Sequence, residues 1–245
     1  MPNCKVTAQS MGEWFATPQG GYVLSREQAH FDRTVGDIFG FNALQLGLPE
    51  YDFLHTSRIP LRINNRALRF LKTELPFAPD SLDLVLLPHI LEFHQSPHQI
   101  LREVERVLMP EGSLLISGFN PLSLWGMNRA RQKKWGYPWC GDFIALARLK
   151  DWLALLGLEV VGVQFFAYAP PFQQTKWLER FTFMEAAGGR WWVVSGGVYF
   201  VHAIKRVPGM RLIKPKWNNG LVSKFLPATP KLNNKDTQQD EQCSH

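Results

Sequence analysis

The stretch Leu75–Phe93, LPFAPDSLDLVLLPHILEF, decides the fold when read with its continuation Leu101–Pro121, LREVERVLMPEGSLLISGFNP. Leu84, Val85, Leu86 and Leu87 are apolar without alternation, so a strand here has both faces covered, as a central parallel strand between helices does. Next, Ile100, Leu101, Val104, Val107 and Leu108 fall on one helical face, with Arg102, Glu103, Glu105 and Arg106 turned to water. Pro110 and Gly112 end that helix, and Ser113–Gly118 is again strand-like. A strand, a helix and a second strand make a βαβ unit of a parallel sheet.

Working outward, short apolar runs predict strands near Ala43–Gly47, Leu61–Asn64 and Leu68–Leu71 before this unit. After it come Leu158–Phe166 and Val193–Ile204, the last with Gly196-Gly197 as a candidate bulge. A helix over Ala145–Leu156 stops at Gly157, and a short one is predicted over Trp177–Glu185. At the N-terminus, Ser25 with Gln28 three residues on reads as a capping box opening a helix to Phe39, after a turn at Gly20-Gly21. The expectation is an α/β, Rossmann-like, mainly parallel seven-stranded sheet with a C-terminal antiparallel strand pair and an N-terminal helical cap. Its parts are a cap over residues 1–40, the sheet domain over 41–206 and a basic, largely disordered tail over 207–245.

The chain has 245 residues, 45% hydrophobic and 20% charged, which are globular values. Cys4, Cys140 and Cys243 are too few and too scattered for a disulfide framework or a metal knuckle. That fits a reducing compartment, and the start of the chain lacks a secretory pattern, so the cytoplasm is expected. The net charge of +6 sits in the tail: eight basic and three acidic residues occur from Lys205 onward, leaving nineteen against eighteen before it. The body thus gives no strong nucleic-acid signal, while the tail leaves peripheral membrane contact open. Phosphate-loop, nucleophile-elbow and zinc-protease motifs are absent, and no histidine spacing suggests a metal.

The two quoted blocks resemble the class I S-adenosylmethionine-dependent methyltransferases, type 11 branch. The first is similar to that branch's Leu-Pro-Phe-x-x-x-Ser-Phe-Asp-Leu-Val block, the second to its helix, Pro-x-Gly turn and following strand. The resemblance implies a methyltransferase that binds S-adenosylmethionine and methylates an acceptor, most simply a small molecule. It implies cofactor contacts from Gln45, Gly47, Asn64, Glu74, Leu75 and His89. The chain departs from the pattern in the glycine-rich loop, where Leu44–Tyr51 keeps only Gly47 and has Gln45 in the acidic position. Asn64-Asn65 stands where the ribose-holding acid belongs, and Leu71 aligns with the Asp that precedes Leu-Pro-Phe. Too few residues separate Gly47 from the second strand for a normal crossover helix. The alternative is a catalytically silent protein of the same fold, acting as a binding or regulatory module.

In an open α/β sheet the ligand sits beyond the carboxyl ends of the strands, where strand order reverses. His89 and Glu92, just after the central strand, are there as substrate-orienting group, acid or base, or as partly solvated residues of a helix N-terminal turn. Asn120, before Pro121, sets an amide against substrate or simply initiates a turn. Trp125, Trp135, Tyr137 and Trp139, interleaved with basic residues, read as a lid over the site or as a flap covering the sheet edge.

Overall fold

In the computed structural model, which describes residues 10–64, 71–132, 136–171 and 195–206, six strands form one sheet. They are β1 (Asn42–Gln45), β2 (Leu61–Asn64), β3 (Leu82–Pro88), β4 (Leu108–Phe119), β5 (Leu158–Phe166) and β6 (Val198–Lys205). Their order is β2-β1-β3-β4-β6-β5, parallel from β2 to β4 and antiparallel where β6 joins β4 and β5. The α/β class, the mainly parallel sheet and the antiparallel C-terminal pair are as predicted, with six strands rather than seven among the described residues. The strand predicted at Leu68–Leu71 falls outside them except for Leu71, as do the helix at Trp177–Glu185, the first residues of the last predicted strand and the tail.

Alternation along β3 divides the core. Leu84 and Leu86 join the apolar cluster on one face, and Val85 and Leu87 the cluster on the other. The Val85 face is covered by α3 (Pro97–Val107), through Ile100, Leu101, Val104 and Val107, and by α5 (Leu146–Leu155), through Leu149 and Leu153. Each buried leucine contributes about 1.5–3 kcal/mol relative to exposure. A helix α4 (Leu124–Gln132) follows β4.

The Leu84 face is built differently. The connection from β1 to β2, residues 46–60, contains turns but no helix, as its length predicted. Two N-terminal helices, α1 (Met11–Phe15) and α2 (Pro18–Val35), take that place. Val23, Phe31 and Val35 of α2 pack with Phe53, Leu54 and Ile59 of the connection, and the Phe31 and Phe53 rings stand 4.7 Å apart.

The long helix of the cap, predicted from Ser25 to Phe39, runs earlier, from Pro18 to Val35. Thr17 is the N-cap of α2, its Oγ1 accepting from Gly20 N–H at 3.2 Å, with Pro18 in the first turn. Ser25 lies inside the helix and donates to the Tyr22 carbonyl at 3.0 Å, while the capping box belongs to Ser10 and Glu13 of α1. Gly20-Gly21 is not a turn, because α2 folds back so closely on α1 that a Cβ on Gly20 would collide with the Trp14 carbonyl. Gly196-Gly197 likewise precedes β6, and the register irregularity lies in β5, between Val160 and Gly162.

The two adjacent glycines should therefore respond oppositely to alanine. Gly20→Ala should cost about 1–3 kcal/mol by overpacking the α1–α2 corner. Gly21→Ala, whose Cβ would have only the Phe15 carbonyl oxygen near, at 3.8 Å, should add about 0.5–1 kcal/mol by removing a glycine from a helix interior. Denaturant melts of the two variants check the pair.

Candidate functional site

Strand order reverses between β1 and β3, and a cleft of about 170 Å³ opens there at their carboxyl ends. Met11 and Gly12 line it from α1, Gly47–Glu50 from the loop after β1, and Pro88–Ile90 from the end of β3, with Lys72, Phe93 and Tyr137. Leu48 (φ 44°) and His89 (φ 47°) both hold the left-handed conformation that side chains disfavour, a strain found disproportionately at binding sites.

The loop after β1 is organised by Gln45. Its fully buried amide donates to the carbonyls of Gly47 (3.2 Å), Leu48 (3.3 Å) and Tyr51 (2.7 Å), and its Oε1 accepts from Phe53 N–H at 3.0 Å. A carboxylate could not donate to those carbonyls, so the loop's own backbone explains why an amide stands in the acidic position. Gly47 has φ +101°, and a Cβ there would meet the Pro88 carbonyl oxygen at 2.7 Å. The close approach it permits is between the ends of β1 and β3, at the edge of the cleft.

At the end of β3 lies a charge cluster shielded from water. His89 Nδ1 is 3.1 Å from Glu92 Oε2 and its Nε2 is 3.4 Å from Glu27 Oε2, with the imidazole and the Glu27 side chain fully buried. The second contact is an ion pair without a directed hydrogen bond, since neither atom has a hydrogen-bond partner. The other oxygens are satisfied: Ser117 Oγ donates to Glu27 Oε1, and Phe119 N–H donates to Glu92 Oε1. The rings of Phe15 and Phe119 flank the imidazole at 5.9 and 4.4 Å. Burial alone would lower the pKa of His89, but the charges of Glu27 and then Glu92, each beside a ring nitrogen, outweigh it and push it up to about 10. Tyr199 is pushed well above its ordinary value by burial and then by the Glu92 charge. The cluster is thus a carboxylate–imidazolium–carboxylate triad that clamps α2 to the ends of β3 and β4.

Gly47 and His89 border the cleft, while Gln45 and Glu92 are buried and committed to the groups just described. Asn120 is elsewhere: its amide donates to the Gly196 carbonyl at 3.0 Å and its Oδ1 accepts from Leu122 N–H at 3.0 Å, an Asx turn fastening β4 to the start of β6. Asn64 ends β2, Glu74 is exposed, and buried Leu75 gives its N–H to Glu103 Oε1 at 3.1 Å; none of the three lines the cleft. Trp125 and Trp139 are core residues, stacked at 5.9 Å, with Trp125 Nε1 donating to the Ala169 carbonyl at 2.9 Å; Trp135 lies outside the described residues. The sequence reading missed Glu27, Ser117, Tyr199 and Lys72. Only Glu27 carried a signal, as a carboxylate spaced by four from Val23 and Phe31 inside an apolar stripe.

Residues 58–116 match the methyltransferase-domain family of type 11, in agreement with the resemblance carried by the two sequence blocks. The protein YafS of Escherichia coli (strain K12), itself uncharacterized, is 41% identical over 97 residues, which is 39% of this chain and 40% of the relative's length. A SAM-dependent methyltransferase from Thermotoga maritima superposes with a TM-score of 0.53 at 16% identity, covering 76% of this chain and 97% of its own. An S-adenosylmethionine-dependent methyltransferase from Mesorhizobium loti gives 0.53 at 14% identity, covering 72% and 96%. The chain has the class I methyltransferase fold. Among the described residues no helix is long and apolar enough to cross a membrane.

Two outcomes follow from the site's geometry. Gln45→Glu should destabilise the fold by about 3 kcal/mol near neutral pH, because an ionised carboxylate would face three carbonyls, and by less near pH 4, where the carboxyl is protonated. Because the folded pKa of His89 lies above its unfolded value of 6.5, its contribution is complete below pH 6.5 and is lost as pH rises through about 10. Within that window stability should fall by up to about 1.4 kcal/mol per pH unit. Melts between pH 6 and 9 should show this slope, reduced in Glu27→Gln, where one of the two carboxylates facing the imidazole is neutral and Glu92, beside Tyr199, remains.

Proposed function

We propose that this protein is a cytoplasmic S-adenosylmethionine-dependent methyltransferase that acts on a small acceptor, with cofactor and acceptor meeting in the cleft between β1 and β3. One observation carries the reading: the cleft lies at the topological switch point of the sheet, where open α/β sheets bind their ligands. Its lining suits the cofactor. Glu50 offers a carboxylate to an ammonium group, and Met11, Leu48, Ile90, Phe93 and Tyr137 offer apolar and aromatic walls to a nucleoside.

S-adenosylmethionine, when bound, supplies a methyl group already activated on a sulfonium. What remains for the protein is to hold and orient, a contribution on the order of 7–11 kcal/mol when reacting groups are aligned. The site is equipped for this. Gln45 fixes the loop after β1 through four backbone groups, Gly47 lets that loop close on Pro88, and the His89 clamp holds α1 and α2 over the strand ends. His89 and Glu92 act as positioning residues, since both imidazole nitrogens face carboxylates and neither side chain reaches solvent. A second reading, a silent protein of this fold, is supported by the loop itself. Pro49 and Tyr51 stand where the family's Gly-x-Gly-x-Gly pattern has its second and third glycines, and Gln45 spends its amide on the loop.

Calorimetry and thermal shift with S-adenosylmethionine and S-adenosylhomocysteine separate the two. The methyltransferase reading expects binding by both, weaker than in a relative with the full glycine loop. A Cβ on Gly12 meets the flexible Glu50 side chain, with its nearest atom at 3.0 Å, so Gly12→Phe should abolish the shift and alter the stability of the free protein by no more than about 0.5 kcal/mol. Absence of heat with either ligand at millimolar concentration would leave the silent module as the account of this chain.

A further inference from the structure

Among the described residues, Lys72 is the only basic side chain that lines the cleft besides the shielded His89. It is half-buried, and among the described residues it has no hydrogen-bond or ion-pair partner. Carboxylates are close at hand, yet none neutralises it. Glu50 shares the cleft without approaching to ion-pair distance, and Glu103, which reaches the same turn, is spent on Arg106 and on the Leu75 amide. A partly desolvated ammonium without a counter-charge is unfavourable in the free protein, and burial accordingly lowers its pKa with no opposing charge to offset it.

The turn that carries Lys72 is also held firmly. Glu74 N–H donates to the Leu71 carbonyl at 3.1 Å, Leu75 N–H to Glu103 at 3.1 Å, and Arg106 donates to the Leu75 carbonyl at 3.1 Å. Thus α3 fixes the backbone from which the ammonium projects, the preorganisation that ligand recognition needs.

We propose that Lys72 is the anion-recognition residue of this cleft, and that the bound ligand sets a negatively charged oxygen group against its ammonium. The inference rests on the cleft being the ligand site. The group is either the amino-acid carboxylate of the cofactor or an anionic group on the methyl acceptor, and the two sources can be told apart.

Lys72→Met keeps the length of the side chain and removes its charge. The free variant should melt at a higher temperature than the parent, as expected when an unpaired cation is removed from a binding site, whereas a structural lysine would leave it less stable. If the anion is the cofactor's carboxylate, the variant should bind S-adenosylhomocysteine at least tenfold more weakly and 5′-methylthioadenosine, which lacks the amino-acid group, unchanged. If the anion belongs to the acceptor, both nucleosides should bind as before, while thermal protection by inorganic phosphate at constant ionic strength is present in the parent and lost in the variant. Should the parent bind neither nucleoside, the methyltransferase reading fails, and the phosphate comparison alone decides the role of Lys72. Responses to all three ligands that are the same in variant and parent would overturn the proposal.

Discussion

A single positive charge, the imidazolium of His89 held between Glu27 and Glu92, fastens the parts of this molecule that form its cleft. Two carboxylates withdrawn from water would be prohibitively costly alone. The cation between them, the Ser117 hydroxyl and the Phe119 amide make the arrangement tenable. The partners come from three places: Glu27 from α2, His89 and Glu92 from the segment just after β3, and Ser117 and Phe119 from β4. The Glu92 carbonyl also accepts Asp142 N–H at 2.8 Å, so the segment after α4 is tied to the same point. The sheet lacks a helix between β1 and β2, and the helix that covers the exposed face instead arrives from the N-terminus, where this charge secures it.

The consequence for the chemistry is a division of labour among polar side chains near the strand ends. Gln45, Glu27, His89 and Glu92 are consumed in shaping the backbone around the cleft, and Asn120 in fastening β4 to the start of β6. Lys72 and Glu50 line it, and among the described residues neither has a hydrogen-bond or ion-pair partner. The proposed methyl transfer, with a donor already activated, would tolerate this economy, because alignment rather than proton abstraction is then the principal contribution asked of the protein. The same economy makes the loop after β1 self-supporting, with the Gln45 amide holding its backbone in the free protein.

Much of the fold was legible because its signals were local. The unbroken apolar run of β3, the one-sided helix α3 and the Pro-x-Gly stretch after it marked a βαβ unit, and β2 and β5 lay where their apolar runs placed them. What escaped reading depended on partners distant in sequence. Gly20-Gly21 has the composition of a turn, and only the Trp14 carbonyl packed against it shows why a helix needs glycine there. Gln45 looked like a lost acid until the loop carbonyls it serves were visible. His89 and Glu92 were placed correctly at the strand end, but nothing local disclosed that Glu27, on a helix preceding the sheet, would close over them and bury them.

The most direct test of this account is the protonation state of His89, read from the nitrogen-15 chemical shifts of its imidazole in labelled protein between pH 6 and 9. The clamp predicts both ring nitrogens protonated across that range, with no titration until the pH approaches about 10. A neutral ring at pH 8, or a midpoint near the ordinary value of 6.5, would contradict the claim that a buried imidazolium holds the N-terminal helices over the cleft.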